Sequence, residues 1–179
     1  MPLFLQRPAS GEYNPYYERY IARVPEEGDF VETLARNADE TLELLRAIPE
    51  NQGSHAYAEG KWSIKEVVGH VCDAERVFAY RMLRIARGDA TPLASFDEKQ
   101  YAPAGQFNQR TLASLIEEFA AIRSATIALV AGLPSEAWLL TGVAADSPVS
   151  VRALAYIIAG HELHHRSILV ERYLPLISG

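Results

Sequence analysis

The chain has 179 residues and a formal net charge of −6, with 49% hydrophobic and 22% charged residues. This suits one globular domain able to bury a core without staples, and the negative charge disfavours general binding of phosphate backbones, which needs a basic patch. The single cysteine, Cys72, excludes an intrachain disulfide and fits a reducing cytoplasm.

Met1 to Pro8 carries no basic stretch followed by a long apolar run, so no secretory signal is expected. Residues 1–28 form a Tyr-rich extension with Tyr13, Tyr16, Tyr17 and Tyr20, expected to pack on the helical bundle. Asn14-Pro15 predicts a short helix there, because proline suits the first helical position. Residues 29–175 read as one helical domain. The first long helix spans about Asp29 to Ile48, with Phe30, Leu34, Ala38, Thr41, Leu45 and Ile48 at three- and four-residue steps, and Pro49 ends it.

The second starts at the capping box Ser63-Ile-Lys-Glu66 and runs to Gly88, with Ile64, Val68, Val71, Phe78, Met82 and Ile85 as its apolar stripe. Its basic stretch, Arg76 to Arg87, is interleaved with apolar residues and reads as a charged outer face, not a nucleic-acid arm. A loop from Asp89 to Asn108 comes next, long for a bundle connection. The third helix runs from near Asn108 to Gly132-Leu-Pro134. Ser135 to Pro148 forms a second long connection with a turn near Ala137-Trp138. The fourth helix runs from after Ser150 to about Tyr173, with Pro175 as its stop. No segment alternates convincingly at two-residue period, and the most apolar run, Val151 to Gly160, is too short for a membrane span and is broken by Arg152. The expected fold class is all-α, a four-helix bundle, and the expected location is the cytoplasm, with neither membrane nor nucleic acid as partner.

On the fourth helix the inward positions are Leu154, Ile158, His161, His165 and Ile168. Residues four apart stack on one face, about 6 Å along the axis, so two imidazoles there can converge on one ion. A lone inward histidine is more often a hydrogen-bonded core residue; two, one turn apart, shift the balance toward a shared metal. The third ligand is expected from His70 on the second helix, since His164 is turned away and His55 lies in a loop. Three histidines leave a position open, the catalytic pattern.

His161-Glu-Leu-His-His165 also fits the H-E-x-x-H pattern of zinc proteases, but no further ligand or strand-rich half accompanies it. Glu162 is therefore expected on the helix surface or behind the ligands. Asp73 and Glu75 are further candidates to orient a ligand imidazole, and in an enzyme Glu75, Asp73 or Glu162 would handle protons. The alternatives are a solvated face for Asp73 and, for Glu75, a buried pair with an arginine such as Arg81 or Arg123. Phe96, Tyr101 and Phe107 in the long loop read as plugs of the bundle end before they read as a pocket wall.

Gly60-Lys-Trp-Ser-Ile-Lys-Glu-Val-Val-Gly-His70-Val-Cys-Asp-Ala-Glu-Arg76, followed by Gly160-His-Glu-Leu-His-His-Arg166, resembles the DinB/YfiT-like superfamily over roughly residues 30 to 173. The resemblance implies a four-helix bundle with a long crossover between helices two and three, often a homodimer. It implies a nickel or zinc site made by His70, His161 and His165, and activities such as thiol-dependent S-transfer, mycothiol-dependent isomerisation or metal-dependent hydrolysis. A low-molecular-weight thiol is then a candidate co-substrate beside a small-molecule substrate. The competing expectation is a non-catalytic module in which the ion only locks two helices together.

Overall fold

The structure, a computed structural model, describes residues 3, 5–26 and 28–177. A tight turn of helix, Pro15–Tyr17, leads into α1 (Glu18–Ile21), and the Asn14 side chain accepts the Tyr16 N–H at 3.0 Å to start it. Four long helices come after it: α2 (Phe30–Arg46), α3 (Ile64–Ala86), α5 (Leu112–Ala131) and α6 (Val151–Ile168). A short α4 (Glu98–Ala104) lies between α3 and α5.

Each long helix begins where a side chain satisfies its orphan N–H groups. Asp29 accepts from Val31 and Glu32, Thr111 from Ser114, and Ser150 from Ala153. Ser63 and Glu66 form the expected capping box, with the Ser63 N–H donating to Glu66 at 2.7 Å and the Glu66 N–H to Ser63 at 3.1 Å.

Helix α3 packs against both α5 and α6, while α2 packs against α5 and more sparingly against α6. Consecutive helices α2 and α3 therefore sit on one diagonal of the bundle, and α5 and α6 on the other. Diagonal steps need long connections, which this chain has. Helix α6 is buried from Val151 to Glu162 at every position except Arg152. A helix apolar all round needs cover on every side. The bundle covers part of it, and the N-terminal segment supplies more, α1 lying along α6 with Tyr20, Ile21 and Val24 buried.

Several expectations are corrected. The segment Asp89 to Asn108 is not a plain loop but contains α4, capped by Asp97; Pro103 falls near its end, where little hydrogen bonding is lost. The third long helix starts at Leu112, where Glu50 joins Thr111 as a cap by accepting the Leu112 N–H at 2.9 Å. The second connection holds a hairpin, β1 (Thr141–Ala144) paired antiparallel with β2 (Ser147–Ser150). Its turn residues Ala145 and Asp146 take φ of 51° and 58°, the geometry of a type I′ turn. Pro175 does not stop the last helix: a widened turn over Leu169–Tyr173 precedes α7 (Leu174–Ile177), and Pro175 sits in that new first turn, where its missing N–H is tolerated.

The apolar core divides into two clusters. Phe30 and Leu34 of α2, α3 from Ala74 onward, and Val151 to Ala159 of α6 belong to the first. Leu45, Ile64 to Cys72, Leu112 to Phe119 and Leu169 belong to the second. On each helix the break falls on buried polar residues: Asn37 and Thr41, His70 and Glu75, Arg123 and Thr126, His161 and Glu162. A polar belt crosses the middle of the bundle.

Candidate metal centre

Histidines enter the belt from two helices. His70, on α3, and His161, on α6, are each 5% exposed, and their Nε2 atoms stand 3.1 Å apart. His165, one turn beyond His161, is half-buried, and its ring centroid lies 4.5 Å from that of His161 and 4.8 Å from that of His70. One nitrogen from each of the three lies within 4.8 Å of the others. Two nitrogens bound at about 2.1 Å to one tetrahedral ion stand about 3.4 Å apart, so the donors fit a single cation. Among the described residues, no carboxylate joins this cluster.

Burial, with a contribution from His164, pulls the His70 pKa down to about 4. Burial, then the neighbouring histidines, holds His161 and His165 well below the ordinary value. All three are neutral near pH 7 and keep lone pairs for a Lewis acid, which is the form that binds metal. Aromatic rings hold them in place. Trp62 lies 4.8 Å from His70, and Tyr20 meets His161 edge-on at 5.1 Å. The close seat of Tyr20 depends on Gly160: a Cβ there would fall 2.0 Å from the Tyr20 carbonyl oxygen. His164 packs on Tyr20 rather than joining the cluster, and His55 lies in the loop before α3.

Behind the histidines the belt is ionic. Glu75 is 3% exposed and accepts two hydrogen bonds from Arg123, each 2.8 Å. Glu162 is 2% exposed, so it is not on the helix surface; it pairs with Arg123 and accepts the Thr41 hydroxyl at 2.6 Å. Burial opposes the Arg123 charge, but the two glutamates outweigh it and raise its pKa. Of the two arginines that could have paired with Glu75, Arg123 is the partner. Asp73 is not brought to the histidines; it is half-buried on another strip of α3, 3.7 Å from Arg76, and burial raises its pKa. Thr41 and the double role of Arg123 were not foreseen, although both fall on inward positions of their helices.

In front of His70 and His161 is a small solvent-open cleft of about 80 Å³. The α3 strip His70, Ala74, Phe78 and Arg81 forms its floor, and Tyr16, Tyr17 and Tyr20 of the N-terminal segment form one wall. The opposite wall is Ser95, Phe96 and Glu98 with the hairpin residue Ala145. Backbone hydrogen bonds from Leu93 to Val143 and from Ala145 to Leu93 pin that wall to the hairpin. Of the three loop aromatics, Phe107 is a buried plug, and Gly69 makes room for it, since a Cβ there would lie 2.4 Å from the Phe107 ring. Phe96 lines the cleft and Tyr101 is exposed.

Comparison with known proteins agrees with this architecture. YfiT from Bacillus subtilis, described as a probable metal-dependent hydrolase with an unusual four-helix bundle topology, superposes with a TM-score of 0.71 at 14% identity, covering 96% of this chain and 94% of that one. A mycothiol-dependent maleylpyruvate isomerase superposes with a TM-score of 0.66 at 13% identity, over 82% of this chain and 61% of the isomerase. At such identities the likeness is one of fold. In sequence, a protein of Oceanobacillus iheyensis named "Putative metal-dependent hydrolase OB0413" is 27% identical over 137 residues, covering 75% of this chain and 76% of its own length. The DinB superfamily profile matches residues 33–169, which include every residue of the histidine cluster and its ionic backing, and the chain therefore belongs to the DinB superfamily.

Proposed function

We propose that the chain is a metal-dependent enzyme acting on a small molecule, with a divalent ion, nickel or zinc, held by His70, His161 and His165. The observation that carries this reading is the convergence of three neutral imidazoles, two of them buried and lining an open cleft and the third half-buried beside them, with no fourth protein ligand among the described residues. Structural zinc sites usually close with four protein ligands, while catalytic sites leave a position open. A bound ion would supply Lewis acidity, lowering the pKa of a thiol or of water so that either serves as nucleophile at neutral pH.

The chain's own residues do the rest. Trp62 and Tyr20 hold the two buried imidazoles in position. Arg123 ties Glu75 and Glu162 together, so these two acids act as positioning residues that fix α3, α5 and α6 at the level of the histidines. Asp73 stays off the cleft, and Glu98 is the carboxyl group that lines it, beside the hydroxyls of Ser95 and the three tyrosines. Two reactions suit such a site: transfer of a low-molecular-weight thiol to an electrophile, and hydrolysis of an ester or amide. A homodimer, implied by family resemblance, belongs to the same reading and is tested by sedimentation.

The deciding experiment uses protein purified without a metal-affinity tag. Elemental analysis should find close to one nickel or zinc per chain. That protein is then offered an electrophile with several small thiols and, separately, a panel of esters and amides. Turnover in one arm that vanishes in His161→Ala supports the enzyme. Inactivity in every arm, together with a large fall in melting temperature on chelation, replaces it with a structural ion that locks α3 to α6.

A further inference from the structure

We propose that Arg81 is the anion-recognising residue of the cleft and that the site takes a small molecule carrying a carboxylate. This names the substrate class of the metal site proposed above and rests on that reading for the reacting end of the ligand.

Arg81 is 3% exposed, yet among the described residues no carboxylate forms an ion pair with it. Its Nη2 donates to the Ala94 carbonyl at 2.6 Å, Tyr17 lines the same cleft, and the rings of Phe78 and Phe96 flank it at 5.9 and 5.8 Å. Glu98 shares the cleft without closing on it. The contrast with Arg123, which is equally buried and has two carboxylates, is sharp. A buried charge without a counter-ion is costly, and that cost is offset if a ligand brings the anion.

The position suits such a task. Arg81 ends the α3 strip that starts at His70, and both line one cleft. The Arg81 guanidinium and the His161 ring each stand 5.9 Å from the Phe78 ring, on which both rest, so they are at most twice that distance apart. A small molecule can bridge them, with its reacting end at the histidines and its carboxylate at Arg81. A guanidinium fork receives a carboxylate through parallel hydrogen bonds, and Glu98 in the same cleft disfavours a more highly charged anion.

The test compares 3-mercaptopropionate with its uncharged amide, 3-mercaptopropanamide, by calorimetry on zinc-loaded and on chelator-stripped protein. The acid should bind at least about tenfold more tightly than the amide. Arg81→Gln should bring the ratio close to one by weakening the acid alone, and Arg81→Lys should restore part of it. Equal affinity in the wild type in both metal states, a preference that survives Arg81→Gln, or a variant that loses the amide as well would each overturn the proposal; the last would make Arg81 a scaffold residue. The metal reading fails separately: if zinc neither binds nor tightens either probe, the acid preference of the metal-free protein still decides the role of Arg81.

Discussion

The histidine cluster has two sides, and they are built on opposite principles. Behind it, Arg123 is closed in by Glu75 and Glu162, Thr41 donates to Glu162, and every charge has its partner. In front, Arg81 is as deeply buried but faces tyrosines, a carbonyl and a cleft. The back is a finished network that joins three helices. The front is assembled from three separate segments and leaves its cation without an acid. The difference separates scaffold from binding surface using two residues of the same type.

The sharpest way to break this contrast is to remove each arginine in turn. Arg123→Met strands two buried carboxylates and should cost about 3–5 kcal/mol, as breaking one side of a buried ion pair does. Arg81→Met discards a buried cation with no acid partner, and the Ala94 carbonyl it releases belongs to an exposed residue. Its cost should stay within about 1 kcal/mol, the worth of one ordinary hydrogen bond. Urea unfolding of the two variants side by side reads both numbers, and equal losses would erase the distinction.

The next largest effect belongs to the ion between the two sides. Zinc at a hundredfold excess over its dissociation constant should stabilise the wild type by about 2.7 kcal/mol. His161→Ala and His70→Ala should lose that gain, whereas His164→Ala should keep it because that ring lies outside the cluster. Thermal unfolding with and without zinc measures the difference.

How much of this is legible in the sequence depends on the same division. The back of the site sits on long helices, where three- and four-residue periodicity places His70, His161, His165 and Glu75 inward and the Ser63–Glu66 box marks a start. The place of Glu162 and the pairing of Glu75 stay open, because periodicity cannot tell which helix faces which or which arginine meets which acid. The front comes from short or irregular pieces. Helix α1 has four residues, too few for a period. The hairpin turns on Ala145-Asp146, which lacks the Asn-Gly or Asp-Gly signature of its turn type, and Pro148 breaks the alternation of β2. Nothing local says that Tyr20 will meet His161 from 141 positions away; that contact arises from the need of α6 for cover on all sides.

Gly160 sharpens the contrast by moving the front alone. An alanine there would drive its Cβ into the Tyr20 backbone, which cannot yield as a flexible side chain would. Overpacking of this kind costs about 1–3 kcal/mol. Gly160→Ala should lift Tyr20 from His161 while the ionic back persists, so zinc stoichiometry should be unchanged as stability and cleft affinity fall.

The smallest effect concerns how the front wall is pinned. Glu12 accepts hydrogen bonds from Ser150 at 2.7 Å and from Arg152, tying the N-terminal segment to the start of α6. The Arg152 hydrogen bond, chiefly, lowers the Glu12 pKa from 4.5 to about 2. Between those two values the unfolded chain binds the proton more readily than the folded one. The contribution is therefore fully present above pH 4.5 and is lost as pH falls toward 2. Amide exchange across residues 13–24, corrected for intrinsic rates, should lose protection below pH 4.5 in the wild type. Glu12→Gln should show that lower protection already at neutral pH and no further loss from this source on acidification. If the variant protects the segment as well as the wild type does, the tyrosine wall is held by its burial on α6 alone, and the front of the site is as self-sufficient as the back.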